Sequence, residues 1–373
     1  MSFILDQVEE QRLLADSLRR TLKAKHDFET RRSRLSRKQP DRLRLWSTLA
    51  ELGALGLAFP EESGGLGGKP SDIAVMQEAL AGSLLVEPLI AATVTAGRIL
   101  LAAAGETARG LVEATIAGER IPILAHTEGF DPFAPPKLRA TRRGAGYVLS
   151  GSKPAARHAD VATDLLVSAR LEDGSTAIFL VEPDQPGLSR ENLRLIDAAG
   201  AADLAFDGVE VAEGAKLEVD ALPAIHDAWE WTLAALCAET AALIAQANQA
   251  TFAYLAVREQ FGQKLGKFQA LQHRAADMFI SQTEAEALAT QAIDALVLPP
   301  SRERSRNILL ASLGCDAAGR LVGHEAIQLH GGMGVSDELI ISHHARRLTA
   351  IRNQVATADA RQARILALED NFS

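Results

Sequence analysis

The chain has 373 residues, of which 47% are hydrophobic and 23% charged, and its formal net charge is −9. This length allows two or three hydrophobic cores, and the ordinary apolar content excludes a largely disordered chain. The acidic balance argues against a general binder of nucleic acid or of anionic membranes, because both functions need a basic surface.

The first section, residues 1–120, is predicted to be helical. Near its start leucines recur every fourth residue, which places them on one face of a helix. A glycine-rich turn at 64–68 interrupts the helical pattern. Helices are predicted over 72–85 and 91–104 and around two apolar stripes, Leu14, Leu18 and Leu22, and Trp46, Leu49, Leu52 and Leu55. The basic run 31–44 is predicted to be a solvated helix end or loop.

The periodicity changes at residue 121, and residues 121–215 are predicted to form a β domain. Short apolar runs are separated there by turn residues such as Asp173-Gly174 and Pro186-Gly187. Short strands at this spacing are typical of a small antiparallel barrel or sandwich. The predicted strands are 122–127, 147–151, 164–169, 177–181 and 204–211.

The last section, residues 216–373, is predicted to be a bundle of long antiparallel helices. Neither 224–261 nor 267–298 contains glycine or proline, and both are rich in good helix formers. Helices of that length need neighbours to cover their apolar faces. Two further helices are predicted over 301–321 and 354–369. The predicted fold class is therefore mainly α with a β middle domain.

The sequence REQFGQKLGKFQALQH at 258–273 is the first candidate ligand patch. Arg258 lies near the end of a long helix, where the helix dipole favours a cation. Its guanidinium also suits the oxygens of a diphosphate. Phe261, Phe268 and Leu271 are either core residues or an apolar seat for an aromatic ring.

The sequence QLHGGMG at 328–334 is the second candidate patch. Gly331 and Gly332 are either a helix C-cap turn or a stretch of backbone that approaches a ligand closely. In the second case the amide of Gln328 would bond to that ligand. The two patches together, on a helical bundle that follows a β section, are a much stronger signal than either alone.

Nearly the whole chain resembles the acyl-CoA dehydrogenase family. The resemblance implies an N-terminal helical domain, a middle β domain and a C-terminal four-helix bundle. It also implies FAD held between subunits. The motifs that carry it besides the two patches are 45–68, Glu78-Ala79-Leu80, Thr127-Glu128 and Gly151-Ser152-Lys153.

The resemblance assigns most of the candidate cofactor residues to the adenosine and diphosphate part of a FAD seated mainly on the neighbouring subunit. Thr127 is implied to approach the flavin itself. The candidate residues of the two patches are Arg258, Gln260, Phe261, Phe268, Leu271, Gln328, Gly331 and Gly332.

The family's catalytic base is missing at both of its known positions. The position used by the medium-chain type falls on Asn353, and the position used by the isovaleryl type falls on Thr232. Neither side chain can act as a base near neutral pH. Glu239 on the same long helix is a minor candidate, with a salt-bridge role favoured. Pro154-Ala155-Ala156 also stands where many members place a bulky aromatic residue.

The sequences HDFETR at 26–31 and RRLTAI at 346–351 resemble one group within the family. This group comprises the small subunits of pimeloyl-CoA-type and steroid-CoA-type dehydrogenases, which form α2β2 tetramers with a paralogous chain. The resemblance implies dehydrogenation of an acyl-CoA to a trans-2-enoyl-CoA, with electrons passing to electron-transferring flavoprotein. The alternatives are a non-catalytic structural partner subunit and a homo-oligomeric dehydrogenase or oxidase with an unrecognised base.

The location is predicted to be the cytoplasm. The two cysteines, Cys237 and Cys315, lie in helix-forming sequence and predict buried free thiols. The apolar start at 3–5 turns acidic at once, unlike a signal peptide. No metal-ligand spacing is present, and no apolar run reaches the roughly 18 residues that span a bilayer.

Overall fold

The computed structural model of the protein describes residues 9–37 and 40–369. The apolar start at 3–5 therefore lies outside the described residues. Helices form both ends of the chain and a sheet forms the middle, so the predicted fold class is confirmed. The first helices end at Ile116, and the long helices begin at Ala221. The exact domain limits, 1–120, 121–215 and 216–373, stay predictions.

The N-terminal helices pack around the predicted apolar stripes, and Leu18 and Leu22 are fully buried. The predicted helix 72–85 is shorter in the structure, because Leu84 adopts a left-handed conformation. The predicted helix 91–104 begins as a π-helix, Ile90–Ala96. The helices are α1 (Glu9–Lys25), α2 (Phe28–Leu35), α3 (Trp46–Glu51), α4 (Pro70–Leu80), α5 (Gly97–Ala102) and α6 (Glu106–Ile116).

The prediction that the basic run 31–44 faces water is wrong for Arg31 and Arg34. These side chains are only 4% and 2% exposed. Arg34 donates to Glu87 at 2.9 Å, and Arg31 donates from Nε to the carbonyl of Leu84 at 2.9 Å. Each of these contacts offsets part of the cost of burying a guanidinium. The partners lie far away in sequence, so composition alone did not indicate burial.

The middle section is a seven-stranded sheet in the order β1-β4-β2-β3-β7-β6, with β5 beside β4. Most neighbours are antiparallel, but β1 and β2 run parallel to β4. The polar strands β2 and β6 lack a continuous apolar run, which is why they were not predicted. The strands are β1 (Pro122–Ala125), β2 (Arg139–Arg143), β3 (Gly146–Arg157), β4 (Asp164–Arg170), β5 (Thr176–Val181), β6 (Leu188–Arg194) and β7 (Gly200–Ala212).

The long C-terminal helices are confirmed. α9 runs on to His330, beyond the predicted end at 321, and the helix predicted over 354–369 begins only at Ala358. Cys237 and Cys315 are free and buried, as predicted. The elements are α7 (Ala221–Val257), β8 (Glu259–Gln260), β9 (Gln263–Lys264), α8 (Gln269–Ala295), α9 (Arg302–His330), α10 (Ile340–Ile351) and α11 (Ala358–Glu369).

Across residues 9–37 and 40–369, no helix is both long and apolar enough to cross a bilayer. Within the same residues, no three side chains of the metal-ligating types gather into a cluster that could hold a metal ion.

Buried histidines predict a loss of stability in mild acid. Burial lowers the pKa of His26 and His344 to about 3, and that of His126 and His343 to about 4. The unfolded chain therefore takes up protons near pH 6.5 while the folded chain does not, so stability falls as pH drops from 6.5 towards 4. We expect the free energy of unfolding, measured with urea, to fall by more than about 2 kcal/mol between pH 7 and pH 5. A flat profile over that interval would contradict the prediction.

Candidate active-site cleft

A cavity of about 600 Å³ lies where the sheet meets the helical sections. It brings together three predicted positions that are far apart in sequence, Thr127, Thr232 and Asn353. Thr127 follows β1, Thr232 lies on α7, and Asn353 follows α10. Two bulges in β3 bend that strand. Other lining residues come from the π-helix, β3 and α7 and include Ala91, Thr95, Pro154, Ala155, Ala156, Arg157, Trp229 and Gln354.

The hydroxyl of Thr232 is fully engaged. Its Oγ1 donates to the carbonyl of Ala228 at 2.7 Å and lies 2.7 Å from Oγ1 of Thr95. Thr95 belongs to the π-helix, an unusual element that often occurs at functional sites. The sequence predicted an ordinary helix there, so nothing indicated Thr95. A threonine pair of this kind can orient a ligand, but it cannot accept a proton at neutral pH.

No carboxylate lines this cavity within the part of the chain that the structure describes. The lining imidazole, His126, has both ring nitrogens occupied: Nδ1 lies 2.8 Å from Ser168 Oγ, and Nε2 lies 2.9 Å from the carbonyl of Pro132. Burial also lowers the pKa of His126 to about 4. The side chain of Asn353 is an amide, so none of the described side chains that line the cleft is suited to act as a base.

Glu239 does not reach the cleft. Its two carboxylate oxygens accept hydrogen bonds from Nε and Nη2 of Arg347 at 2.6 and 2.7 Å. Arg347 also donates to Asp197 at 2.7 Å. Although burial alone would lower the pKa of Arg347, Glu239 and Asp197 together raise it. Glu239 is therefore a salt-bridge partner in the structure, and it does not line the cleft.

A buried lysine fixes the loop that carries Thr127. Lys153 is fully buried, and its Nζ donates to the carbonyl of His126 at 3.0 Å and forms an ion pair with Glu128. Glu128 in turn accepts the backbone N–H of Leu138 at 3.0 Å. Burial lowers the pKa of Lys153 to about 8, against the opposing effect of Glu128. The motif residues Glu128 and Lys153 therefore shape the cleft without lining it.

The two sequence patches meet at one end of the helical bundle. Tyr254, near the end of α7, stacks on His330 at the end of α9, with ring centroids 4.4 Å apart. Arg258 caps α7 through its backbone, and its exposed guanidinium has no ion pair among the described residues. Phe261 is 88% exposed and has a positive φ of 53°, so it is not a core residue.

The remaining candidates lie around these residues. Phe268 is half-buried, with its ring centroid 6.3 Å from that of Phe261. Leu271 lines an apolar hollow of about 340 Å³ between α7 and α8. Gly331 caps α9 at a φ of 62°, as in the C-cap alternative for this patch. The other candidates, Gln260, Gln328 and Gly332, are exposed.

This end of the bundle fits the adenosine and diphosphate part of a dinucleotide. It offers an unpaired guanidinium, exposed aromatic and amide side chains, and two glycines whose Cβ positions face open space. Guanidinium donors suit phosphate oxygens, and a bare backbone permits close approach. Thr127 lines the cleft, whereas Leu271 lines the separate hollow between α7 and α8.

Comparison with known proteins identifies the family. The N-terminal acyl-CoA dehydrogenase domain matches residues 8–119, and the C-terminal domain matches residues 224–353. FadE27, an acyl-CoA dehydrogenase of Mycobacterium tuberculosis, is 31% identical over 79% of this chain and 79% of its own length. The chain belongs to the acyl-CoA dehydrogenase family.

Other members are similar over most of their length. Benzylmalonyl-CoA dehydrogenase of Aromatoleum aromaticum is 29% identical over 81% of this chain and 83% of its own length. Among solved structures, the Tcur3481-Tcur3483 steroid ACAD variant has a TM-score of 0.87 at 30% identity and covers 97% of this chain and 98% of its own. The ChsE4-ChsE5 complex of Mycobacterium tuberculosis, at 22% identity and a TM-score of 0.87 over the full length of both chains, shows the same fold.

Three residues that line the cleft were not indicated by the sequence. Arg157, Gln354 and Thr95 line the cleft, but each lies in sequence that carries no motif of its own. Arg157 ends β3, which already contains Ser150, Ser152 and Lys153, so a further polar residue there carried no signal. The contacts of Thr95 and Gln354 depend on elements far away in the chain.

Proposed function

We propose that this chain is the base-lacking subunit of a heteromeric, FAD-dependent acyl-CoA dehydrogenase that forms trans-2-enoyl-CoA. One observation carries the proposal. The cleft places Thr232 and Asn353 together at the two positions where the family resemblance expects a carboxylate, and no carboxylate lines it among the described residues. Most of the candidate cofactor residues at the end of the bundle, including Arg258 and Gln328, are exposed.

FAD, when bound, supplies the acceptor for the β hydrogen, which leaves the substrate as hydride. The thioester carbonyl acidifies the α proton, and a carboxylate of the partner chain removes it. Arg258 and Gln328 would hold the diphosphate and adenosine end of a FAD seated mainly on the partner. Thr127 would lie near the flavin, and the cleft walls would shape part of the acyl site. The proposed electron acceptor is electron-transferring flavoprotein.

The proposed partner is a paralogous acyl-CoA dehydrogenase, in an α2β2 tetramer in the cytoplasm. The similar structures Tcur3481-Tcur3483 and ChsE4-ChsE5 are each complexes of two different proteins, which supports a pair of this kind. The resemblance to pimeloyl-CoA and steroid-CoA enzymes favours a dicarboxylyl or a bulky cyclic acyl group.

Replacing Arg258 tests the cofactor role. In the complex reconstituted with its partner, Arg258→Ala is expected to weaken FAD binding about 10- to 100-fold, because charge-assisted bonds to phosphate are lost. FAD content after dialysis and the dissociation constant from flavin fluorescence measure the effect.

The matched control is Arg20→Ala, which removes an exposed arginine on α1. It should leave FAD binding unchanged. Equal FAD content in both variants would instead favour a structural partner that contributes nothing to the cofactor site.

A further inference from the structure

A hollow of about 200 Å³ lies where α2 and α10 meet the connection between β6 and β7. Among the described lining residues, none is shared with the cleft. The motifs at 26–31 and 346–351 meet here, and an edge contact between Phe28 and His343, with ring centroids 5.1 Å apart, joins α2 to α10. The charged side chains that line this arginine hollow are Arg31, Arg32, Arg194, Arg346, Asp197 and Asp337.

Arg31 is a buried cation without a carboxylate partner. It is 4% exposed, its Nε donates to the carbonyl of Leu84 at 2.9 Å, and its Nη1 lies 2.7 Å from Nδ1 of His343. Among residues 9–37 and 40–369, no carboxylate pairs with it and its Nη2 has no hydrogen-bond partner. Burial, together with Arg34 and Arg346, lowers the pKa of Arg31 to about 10. The arginine hollow therefore contains a guanidinium whose charge no direct carboxylate contact balances.

The other three arginines can also donate to a ligand. Arg194, at the end of β6, is exposed and pairs with no described carboxylate. Arg32 pairs with Glu29, which is 66% exposed. Arg346 pairs with Asp337, which is 72% exposed. Exposed pairs of this kind are weak, so a bound anion can share these guanidinium groups.

The charges favour an anion with about two negative charges. Four guanidinium groups and two carboxylates give the described lining an excess of two positive charges, although the whole chain carries −9. The Asp197 carboxylate is already held by Arg157 and Arg347, which lie outside this lining. A phosphate group carries about 1.5–2 negative charges at pH 7, and its oxygens match the forked donors of guanidinium groups. A single carboxylate would leave part of the positive charge unbalanced.

We propose that the arginine hollow is a binding site for the phosphate group of a small molecule, which is either free phosphate or a phosphate ester. Arg31 is the buried anchor of this site, and Arg194 and Arg346 bind from its open side. A water molecule takes up about 30 Å³ of liquid, so 200 Å³ has room for a phosphate and for several further atoms. The site is independent of the proposed dehydrogenation, because it shares no described lining residue with the cleft.

Isothermal titration calorimetry of the full chain, in the oligomer in which it is purified, tests the site. The ligands are inorganic phosphate, adenosine 5′-monophosphate, adenosine and acetate, all at one ionic strength set with sodium chloride. We expect saturable binding of phosphate or of the monophosphate. Arg194→Met and Arg346→Met should each weaken that binding about fivefold or more, because each removes charge-assisted hydrogen bonds.

The matched control is Arg20→Met, which removes an exposed arginine on α1 and should keep the affinity of the unaltered chain. All three substitutions lie at side chains that are at least partly exposed, so folded proteins are expected. Tighter binding of the monophosphate than of phosphate identifies a phosphate ester as the ligand. Equal or tighter binding of phosphate identifies free phosphate, and both results support the site.

Absence of saturable binding of both phosphate and the monophosphate would overturn the proposal. Binding that Arg194→Met and Arg346→Met leave as tight as Arg20→Met does would place the ligand elsewhere and overturn it as well. Acetate binding tighter than phosphate would overturn the assignment to a phosphate group. Equal binding of adenosine and its monophosphate, without binding of phosphate, would show that the phosphate is not recognised.

Discussion

Purified alone, this chain is expected to leave any flavin it carries oxidised when pimeloyl-CoA or a steroid-derived acyl-CoA is added without oxygen. Co-purified with a paralogous acyl-CoA dehydrogenase, the pair is expected to bleach its flavin. A positioned general base contributes about 10²–10⁴-fold to a proton transfer, and the described lining of the cleft contains no carboxylate. The visible absorption spectrum of the flavin, followed over time, measures the difference.

Bleaching by the lone chain at the rate of the pair would contradict the base-lacking role and would favour the homo-oligomeric enzyme. Glu239→Gln then decides whether that residue supplies the base. We expect unchanged turnover in this variant, because Arg347 holds both oxygens of the Glu239 carboxylate away from the cleft. Arg347 and Asp197 remain paired in the variant, so a folded protein is expected.

The second large effect concerns stability. Arg347→Met is expected to lower the free energy of unfolding by about 3–5 kcal/mol, because it leaves the carboxylate of Glu239 buried without its partner. The Arg347 and Glu239 side chains are only 10% and 9% exposed, so water cannot replace the lost contacts. Urea unfolding at neutral pH, followed by circular dichroism, measures the change.

Arg306→Met provides the comparison for this stability effect. Arg306 pairs with Glu369 at 3.0 Å, but the two side chains are 48% and 46% exposed. An exposed pair contributes about 0–1 kcal/mol. Similar losses in the two variants would show that burial of the Arg347 pair does not have the predicted consequence.

Local sequence patterns were enough for the long helices and for most of the strands. Residues 224–261 and 267–298 contain no glycine or proline, and this predicted α7 and α8. Helix propensity is a property of each residue, so it can be judged from the local sequence. The polar strand β6 and the short helix α2 were not predicted. Both elements are stabilised by contacts with other sections of the chain, so their own composition does not predict a strand or a helix.

For the candidate site, too, some residues were indicated by the sequence and others only by the structure. Arg258, Gln328 and the glycines at 331–332 are candidates through the family resemblance. The structure brings the two patches to one end of the bundle, where Tyr254 stacks on His330. The alternatives for Phe261 could not be separated by sequence, because an aromatic residue in a turn is compatible with either burial or exposure. In the structure the side chain of Phe261 is exposed.

The sequence by itself determined the family, the helical and β sections and the absence of a base at positions 232 and 353, because these depend on residue identity and local periodicity. The tertiary structure alone decided which polar groups are satisfied. It showed that Arg347 forms a hydrogen-bonded ion pair with Glu239, and that Gln77, Arg157 and His158 line one small cavity. Pairing and burial depend on contacts between distant segments, and no local pattern records those contacts.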